Sequence, residues 1–366
     1  MTGGRLKVLH VGKFFPPHAG GMESHLELIC RLTKSDVDLQ VLVSSDDART
    51  VREVRDGVPV TRVGTRLTLA SASFNPGMAR EIRRARADVV HFHHPNPTAV
   101  LSYLAARPGG RLVVTYHSDI VRQRVLGPLV SPLIHAFLHR ADAIIATSPD
   151  YAASSPVLRR HADRVTVLPF GIDTDEIRRV DEREVRAIRA RYGERIVFAA
   201  GRLVYYKGFD YLVRAMRRVD AHLLIAGGGP LRGELERLAG EEGVAAKVTV
   251  LGPVPDLRPY YHAADVFALP SVARSEAFGI VQLEAMACGL PVVNTSLDTG
   301  VPFVSPHGLT GLTVPPADPA ALAAALGTLL SDPALRARLG AAGRERVQGE
   351  LSAERMARRT LGLYHG

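Results

Sequence analysis

Two glutamates, Glu276 and Glu284, stand eight residues apart in Ser275-Glu276-Ala277-Phe278-Gly279-Ile280-Val281-Gln282-Leu283-Glu284-Ala285-Met286-Ala287-Cys288-Gly289-Leu290-Pro291. Phe278-Gly279 marks a tight turn into a helix. Val281, Leu283, Ala285 and Met286 supply its apolar surface, and Gly289 and Pro291 its stop signal. The spacing predicts Glu276 just ahead of the helix, beside its free backbone N–H groups and positive dipole end, with Glu284 about two turns further on. One polar ligand could meet both carboxylates while its anionic part is drawn to the helix N-terminus. That layout suits a sugar nucleotide. A single glutamate on an amphipathic helix reads as a solvated charge; the pair with its flanking Phe-Gly and Gly-Leu-Pro is harder to reach by chance.

Three other segments carry chemistry. Gly201-Arg202-Leu203-Val204-Tyr205-Tyr206-Lys207-Gly208 places two cations and two glycines between a strand end and a helix start. Arginine grips phosphate in bidentate fashion and lysine acts as a point charge; solvated surface charge is the plain alternative. The segment lacks the Gly-x4-Gly-Lys-Ser/Thr order of a P-loop, which leaves ATP hydrolysis unsupported. Gly20-Gly21-Met22-Glu23-Ser24-His25 opens a helix, and paired glycines let N–H groups approach a phosphate or sugar. An ordinary tight turn would look the same. Tyr116-His117-Ser118-Asp119 follows a strand and puts His117 where it could bond a substrate hydroxyl, or serve as a loop or core histidine. The four segments would converge if two sheets faced each other across a cleft at their strand C-terminal ends.

Other patterns point away from metals and dinucleotides. Gly227-Gly228-Gly229-Pro230 is not Gly-x-Gly-x-x-Gly and has no clear acidic partner about 20 positions on, so NAD is disfavoured. Asp36-Val37-Asp38 and Asp173-Thr174-Asp175 read as turn chemistry. His91, His93 and His94 suggest a metal cluster, and His91 and His93 point the same way in a strand, yet no acidic or cysteine partner lies nearby in sequence. They are expected to line the cleft or meet an acceptor. No metal and no cofactor is expected.

The elements that must position these residues alternate strand with helix. Expected strands are Lys7–Val11, Asp38–Val43, Val58–Val63, Val89–Phe92, Leu112–Tyr116, Ala143–Thr147 and Val165–Leu168, then Ile196–Ala200, His222–Ala226, Val248–Leu251, Val266–Leu269 and Leu290–Val293. Between them run stripes such as Phe209, Leu212, Val213, Met216 and Leu231, Leu235, Leu238. The alternation predicts an α/β protein of two Rossmann-like, doubly wound parallel sheets. The boundary is placed at Pro169–Asp175, giving an N-terminal domain of residues 1–170 and a C-terminal domain of residues 171–351. Helices are expected at Ala320–Leu330, Pro333–Gln348 and Ser352–Tyr364, the last (352–366) crossing back onto the first domain.

With 366 residues, 46% hydrophobic and 23% charged, the chain has the size and composition of a globular protein of two domains. No apolar run is long enough to span a bilayer, and Met1-Thr2-Gly3-Gly4-Arg5-Leu6-Lys7 does not read as a signal peptide. Cys30 and Cys288 form no disulfide or metal framework. The expected address is the cytoplasm, with peripheral contact at the inner face of the membrane. The net charge of +9 allows attraction to an anionic membrane, or reflects a general bias towards arginine. Its basic residues are not interleaved with aromatics, so nucleic acid is not expected as a partner.

Taken together, the Gly-Gly loop, the Gly171-Ile172-Asp173 linker, Gly-Arg-x4-Lys-Gly and Glu-x7-Glu resemble the retaining, nucleotide-sugar-dependent glycosyltransferases of family 4, which have the GT-B fold and include glycogen and sucrose synthase-like bacterial enzymes. The resemblance implies that Arg202 and Lys207, with Gly21, hold the donor diphosphate. Glu276 would hold the donor hexose with the backbone amides of Phe278 and Gly279. Glu284 would hold the ribose, Gly252 and Val254 would pack on the base, and His117 would contact the sugar near the reacting centre. It implies metal-independent transfer of a hexosyl unit from a UDP- or GDP-linked sugar to a hydroxyl acceptor (a cell-surface glycan, a lipid-linked sugar or a small glycoside), with the two domains closing over the donor. Asp298-Thr299-Gly300-Val301-Pro302-Phe303-Val304, where many members carry a short Gly-rich loop, is similar to a subgroup that works on cell-surface glycans. A nucleotide-sugar epimerase or a phosphorylase of the same fold would share the diphosphate grip. A basic module for nucleic acid or membrane would explain the charge but leave the carboxylate pair unemployed.

Overall fold

The computed structural model describes residues 4–18, 20–69, 72–119 and 127–366. The expectations for Met1, Thr2 and Gly3 lie outside these. The chain forms two compact units, Met1–Phe170 with Ala353–Gly366, and Gly171–Ser352.

The first unit carries β1 (Lys7–Val11), β2 (Asp38–Ser44), β3 (Val51–Arg55), β4 (Val58–Val63), β5 (Leu67–Leu69), β6 (Ala72–Phe74), β7 (Val89–His94), β8 (Arg111–Tyr116), β9 (Ala143–Ala146) and β10 (Val165–Val167). Its main sheet runs β10-β9-β8-β7-β1-β2-β4-β3. All pairs are parallel except β3 with β4. Central strands such as β7 and β9 are buried along their whole length, as sheets covered on both faces require. The edge strand β3 (Val-Arg-Glu-Val-Arg) is exposed and charged, which blunts an unpaired edge. That polarity hid it from the periodicity reading. The three-residue strands β5 and β6 are too short to show any period. The helix Ala353–His365 belongs to this unit and packs on the helix Gly21–Thr33. Arg111 Nε also donates to Leu363 O at 2.8 Å.

The second unit carries β11 (Ile196–Ala200), β12 (His222–Ala226), β13 (Val248–Gly252), β14 (Val266–Leu269), β15 (Val292–Thr295) and β16 (Gly311–Val314). They form one parallel sheet in the order β13-β12-β11-β14-β15-β16. Its core includes the predicted stripe Phe209, Leu212, Val213 and Met216 against Val197, Leu223 and Leu326. β15 begins two residues later than the expected Leu290–Val293. Gly289 (φ 80°) ends the preceding helix, Leu290 N–H still bonds Ala285 O at 3.0 Å, and Pro291 has no N–H for a ladder. Strand order reverses between β11 and β14, so the crevice beyond the C-terminal ends of these two strands is where such a sheet binds ligands.

Candidate active site

Lys207 and Glu276 meet at that crevice. Lys207 ends a short turn, Tyr205–Lys207, after β11. Gly208 follows with φ 64°, and a Cβ there would lie 2.2 Å from Pro270 O. Only glycine lets the turn press so closely on the segment leaving β14. Val272 N–H donates to Tyr206 O at 2.8 Å and clamps the two together. Lys207 Nζ then lies 2.5 Å from Glu276 Oε2, each side chain about 10% exposed. Ser271 Oγ donates to the same oxygen at 2.9 Å, while Thr295 Oγ1 donates to Ser271 O at 2.5 Å. The spacing set Glu276 just ahead of the following helix. That helix starts only at Val281, and the partners of the carboxylate are Lys207 and Ser271. Arg202 is exposed on the same loop and forms no ion pair with a described residue.

The turn at Phe278-Gly279 is held from below. Phe278 is buried, and Gly279 has φ 77° with a Cβ position 2.6 Å from Leu269 Cδ2. Gln282 Nε2 donates to Phe278 O at 3.2 Å. Asn294 Nδ2 donates to Gln282 Oε1 at 2.9 Å and Thr313 Oγ1 to Asn294 Oδ1 at 2.8 Å. This buried amide chain rigidifies the turn from three neighbouring elements. Glu284 accepts a 2.7 Å hydrogen bond from Tyr261 Oη. Burial pushes its carboxyl above the usual range, opposed by that hydrogen bond.

Gly252 ends β13 with φ 78°, its Cβ position 2.8 Å from the Arg232 guanidinium, and Val254 is half-buried beyond it. Gly252 O accepts from Gly227 N–H at 2.8 Å. A Cβ on Gly227 would sit 1.9 Å from Gly201 O, and one on Gly229 2.4 Å from Leu203 O. The triple glycine is thus a spacer that lets the loops after β11, β12 and β13 nest. The sequence signal was present, but it was weighed only as a dinucleotide motif.

In the first unit Gly21 is the first residue of the helix Gly21–Thr33. A Cβ on Gly20 would lie 2.4 Å from a carboxylate oxygen of Glu23, so an acidic group already covers this helix start. It is a poorer seat for a diphosphate than Lys207. His117 follows β8 and is buried. Its Nε2 shares a 3.1 Å hydrogen bond with His93 Nδ1, and His93 Nε2 shares another of 3.1 Å with His10 Nδ1. His10 Nε2 lies 3.3 Å from the Tyr364 hydroxyl, which is 2.7 Å from His91 Nδ1; His91 Nε2 is 2.7 Å from Thr115 Oγ1. Burial lowers the pKa of His10 and His25 to about 3 and that of His94 to about 4, and holds His91, His93 and His117 well below the usual value. These rings are neutral at physiological pH.

His91 and His93, expected to line a cleft or meet an acceptor, are instead interior residues, 1% and 3% exposed. Parallel pairing sets His10 opposite His91, and the returning C-terminal helix supplies Tyr364. Neither relation is visible in the linear sequence. Two triads, His10/His91/His93 and His25/His93/His117, each bring one ring nitrogen per residue within 4.8 Å of the others. Neutral imidazoles suit a metal, but most of these nitrogens are already bonded to one another; His25 Nδ1 has no partner among the described residues. Cys30 and Cys288 are free thiols, and burial pushes Cys288 up to about 12.

Two such units define an α/β protein of the two-Rossmann type. Residues 180–346 match the family described as "Glycosyl transferases group 1", and residues 19–176 match "Glycosyltransferase Family 4". The chain is 36% identical to the D-rhamnosyltransferase WbpZ of Pseudomonas aeruginosa, over 90% of this chain and 87% of that protein. It is 34% identical to the GDP-mannose-dependent alpha-(1-6)-phosphatidylinositol monomannoside mannosyltransferase of Mycolicibacterium smegmatis, over 92% of each. The fold matches that of Anabaena Alr3699/HepE, solved in complex with UDP, with a TM-score of 0.81, 20% identity and coverage of 98% and 99%. The chain belongs to glycosyltransferase family 4 and has the GT-B fold. Among its described residues no helix is long and apolar enough to cross a membrane.

Proposed function

We propose that the protein transfers a hexosyl unit, with retention at the anomeric carbon, from a GDP- or UDP-linked sugar to a hydroxyl of a cell-surface glycan or lipid-linked sugar. The observation that carries this reading is the Lys207–Glu276 pair at the β11/β14 switch point. A cation for a diphosphate and a carboxylate for sugar hydroxyls are held there by one short contact. Arg202 adds a second, exposed cation. Breaking the sugar–phosphate bond leaves an oxocarbenium-like sugar and a more negative diphosphate, so fixed positive groups lower the barrier, each by a few kcal/mol. The departing phosphate helps deprotonate the acceptor on the same face. Glu284, Gly252 and Val254 are assigned to the nucleoside, Phe278 and Gly279 to the hexose, and His117 to a hexose hydroxyl. No metal or other cofactor takes part in this scheme. Peripheral contact with an anionic membrane is compatible with the charge of +9. Nucleic acid has no role in it.

The GDP-mannose-dependent relative from Mycolicibacterium smegmatis makes GDP-linked sugars the first donors to try. A thermal-shift panel of UDP, GDP, ADP and CMP with their common sugars, all in EDTA, tests the reading. A ligand at about 100 times its Kd adds roughly 2.7 kcal/mol, so one nucleotide family should raise Tm by several degrees. Turnover should fall by roughly 100-fold or more in Lys207→Ala and Glu276→Ala. A folded protein that responds to no donor, or wild-type rates in both variants, would sink the assignment.

A further inference from the structure

Five interior side chains lead to His117 in an unbroken line: Thr115, His91, Tyr364, His10 and His93. Each internal link joins two groups that between them own one shared proton, because a neutral imidazole has one N–H and one bare nitrogen. Within the run His10–His93–His117 the direction of one link therefore fixes the others, and the Tyr364 hydroxyl, with its single proton, carries that direction on to His91 when it donates to one ring and accepts from the other. In one arrangement Tyr364 donates to His91 and His91 donates to Thr115. His10 Nε2–H then donates to Tyr364, His93 Nε2–H to His10, and His117 Nε2–H to His93. This leaves His117 Nδ1 as a bare acceptor. In the reverse arrangement every proton shifts across its link and His117 Nδ1 becomes a donor.

The two Tyr364 distances favour the first arrangement, and the 2.7 Å link from His91 Nε2 to Thr115 Oγ1 lies within the range of either donor and does not oppose it. An O–H donor bonds at shorter range than an N–H donor. Tyr364 lies 2.7 Å from His91 Nδ1, suited to its own O–H, and 3.3 Å from His10 Nε2, tolerable only for an incoming N–H. Among the described residues no group bonds His117 Nδ1, so the free end of the line is the ring nitrogen that a ligand can use.

We propose that Tyr364, His91, His10 and His93, with Thr115, act as positioning residues that hold His117 in the Nε2–H tautomer and so present Nδ1 as an acceptor for a donor-sugar hydroxyl. The hydroxyl contact rests on the role assigned to His117 above; the tautomer does not. Burial keeps the rings neutral, which is the condition for a line of this kind to have a direction.

The test uses the full chain with 15N-labelled histidine and long-range 15N–1H spectra that show which ring nitrogen carries the proton. Wild-type His117 should be protonated at Nε2. Tyr364→Phe removes the central hydroxyl and leaves His10 Nε2–H without an acceptor. Reversal of the lower half relieves this, so His117 should become protonated at Nδ1. Thr115→Val orphans His91 Nε2–H and should reverse the line from its other end, whereas Thr115→Ser should keep the wild-type pattern. If Tyr364→Phe does not fold, the Thr115 pair carries the test alone. Wild-type His117 protonated at Nδ1, or an unchanged His117 spectrum in the folded variants, overturns the proposal. Donor affinity should weaken about tenfold with reversal, near the worth of one hydrogen bond. Reversal seen by NMR with donor affinity unchanged would overturn the sugar-hydroxyl half and leave the relay standing.

Discussion

Lys207 and Glu276 are each other's main electrostatic support, since both side chains are about nine-tenths buried. Removing one strands the other charge in a low-dielectric site, at about 3–5 kcal/mol, whereas neutralising both removes the Coulomb gain and the desolvation cost together. Lys207→Met should therefore lower stability by about 3 kcal/mol in urea unfolding, and Lys207→Met/Glu276→Gln should recover most of it. Equal losses in single and double variants would mean the pair is solvated rather than buried. Spacing brought both residues to notice, as a cation for phosphate and a carboxylate for a polar ligand, and the family resemblance implied the sugar as that ligand. Their mutual contact was not legible, because it depends on Gly208 pressing on Pro270 and on Ser271 sharing the same carboxylate oxygen. Serine after a strand is too ordinary a signal to single out. Glu284 was legible as a carboxylate that a polar ligand could meet, but its partner Tyr261 lies on another helix 23 residues away.

The loops that build the site are glycine-dependent in a way that ordinary helical glycines are not. Gly208 combines φ 64° with a Cβ position 2.2 Å from a backbone carbonyl. Gly208→Ala would pay about 1–2 kcal/mol for the left-handed backbone, plus the displacement of Pro270. It should loosen the Lys207–Glu276 contact and weaken donor binding along with stability. Gly327, inside the helix Pro319–Ser331, has nothing within 4 Å of its Cβ position. Gly327→Ala should stabilise by about 0.5–1 kcal/mol with donor affinity unchanged. Comparing the two by denaturant midpoint and donor titration separates a glycine held by its surroundings from one that is merely tolerated; similar effects from both would refute the distinction. Strand–helix alternation made most of the long buried strands readable to within one or two residues. Register, and the edge strands β3 and β16, were not readable. The line from Thr115 to His117 draws on β1, β7, β8 and the C-terminal helix, and periodicity within a segment says nothing about which segments lie side by side.

Over the whole chain, the strongly desolvated histidines gather in the first unit, and this gives its stability a definite pH dependence. The folded-state pKa of His10 and His25 is about 3 and that of His94 about 4, against the usual 6.5. The unfolded chain thus binds more protons than the folded one between these values. Stability contributed by such groups is fully present above about pH 6.5 and is lost as pH falls through that window, at about 1.4 kcal/mol per pH unit for each histidine. Glu284 acts in the opposite sense, because its raised folded pKa favours the fold at low pH and costs stability as pH rises through it. One carboxyl cannot offset several rings, so unfolding free energy should drop steeply from pH 6.5 to pH 5. His94 isolates the effect. It is fully buried, both ring nitrogens lack a partner among the described residues, and it stacks on Tyr116 with ring centroids 4.7 Å apart. His94→Phe keeps the stack, removes two unsatisfied polar atoms and cannot take up a proton. At pH 7.5 the variant should be more stable by about 1 kcal/mol. Between pH 6.5 and pH 5 its stability should fall about 1.4 kcal/mol per unit less steeply than that of the parent. Urea unfolding at a series of pH values reads both quantities. Parallel curves would mean that His94 is already protonated in the fold, and that the neutral interior described here is wrong at that position.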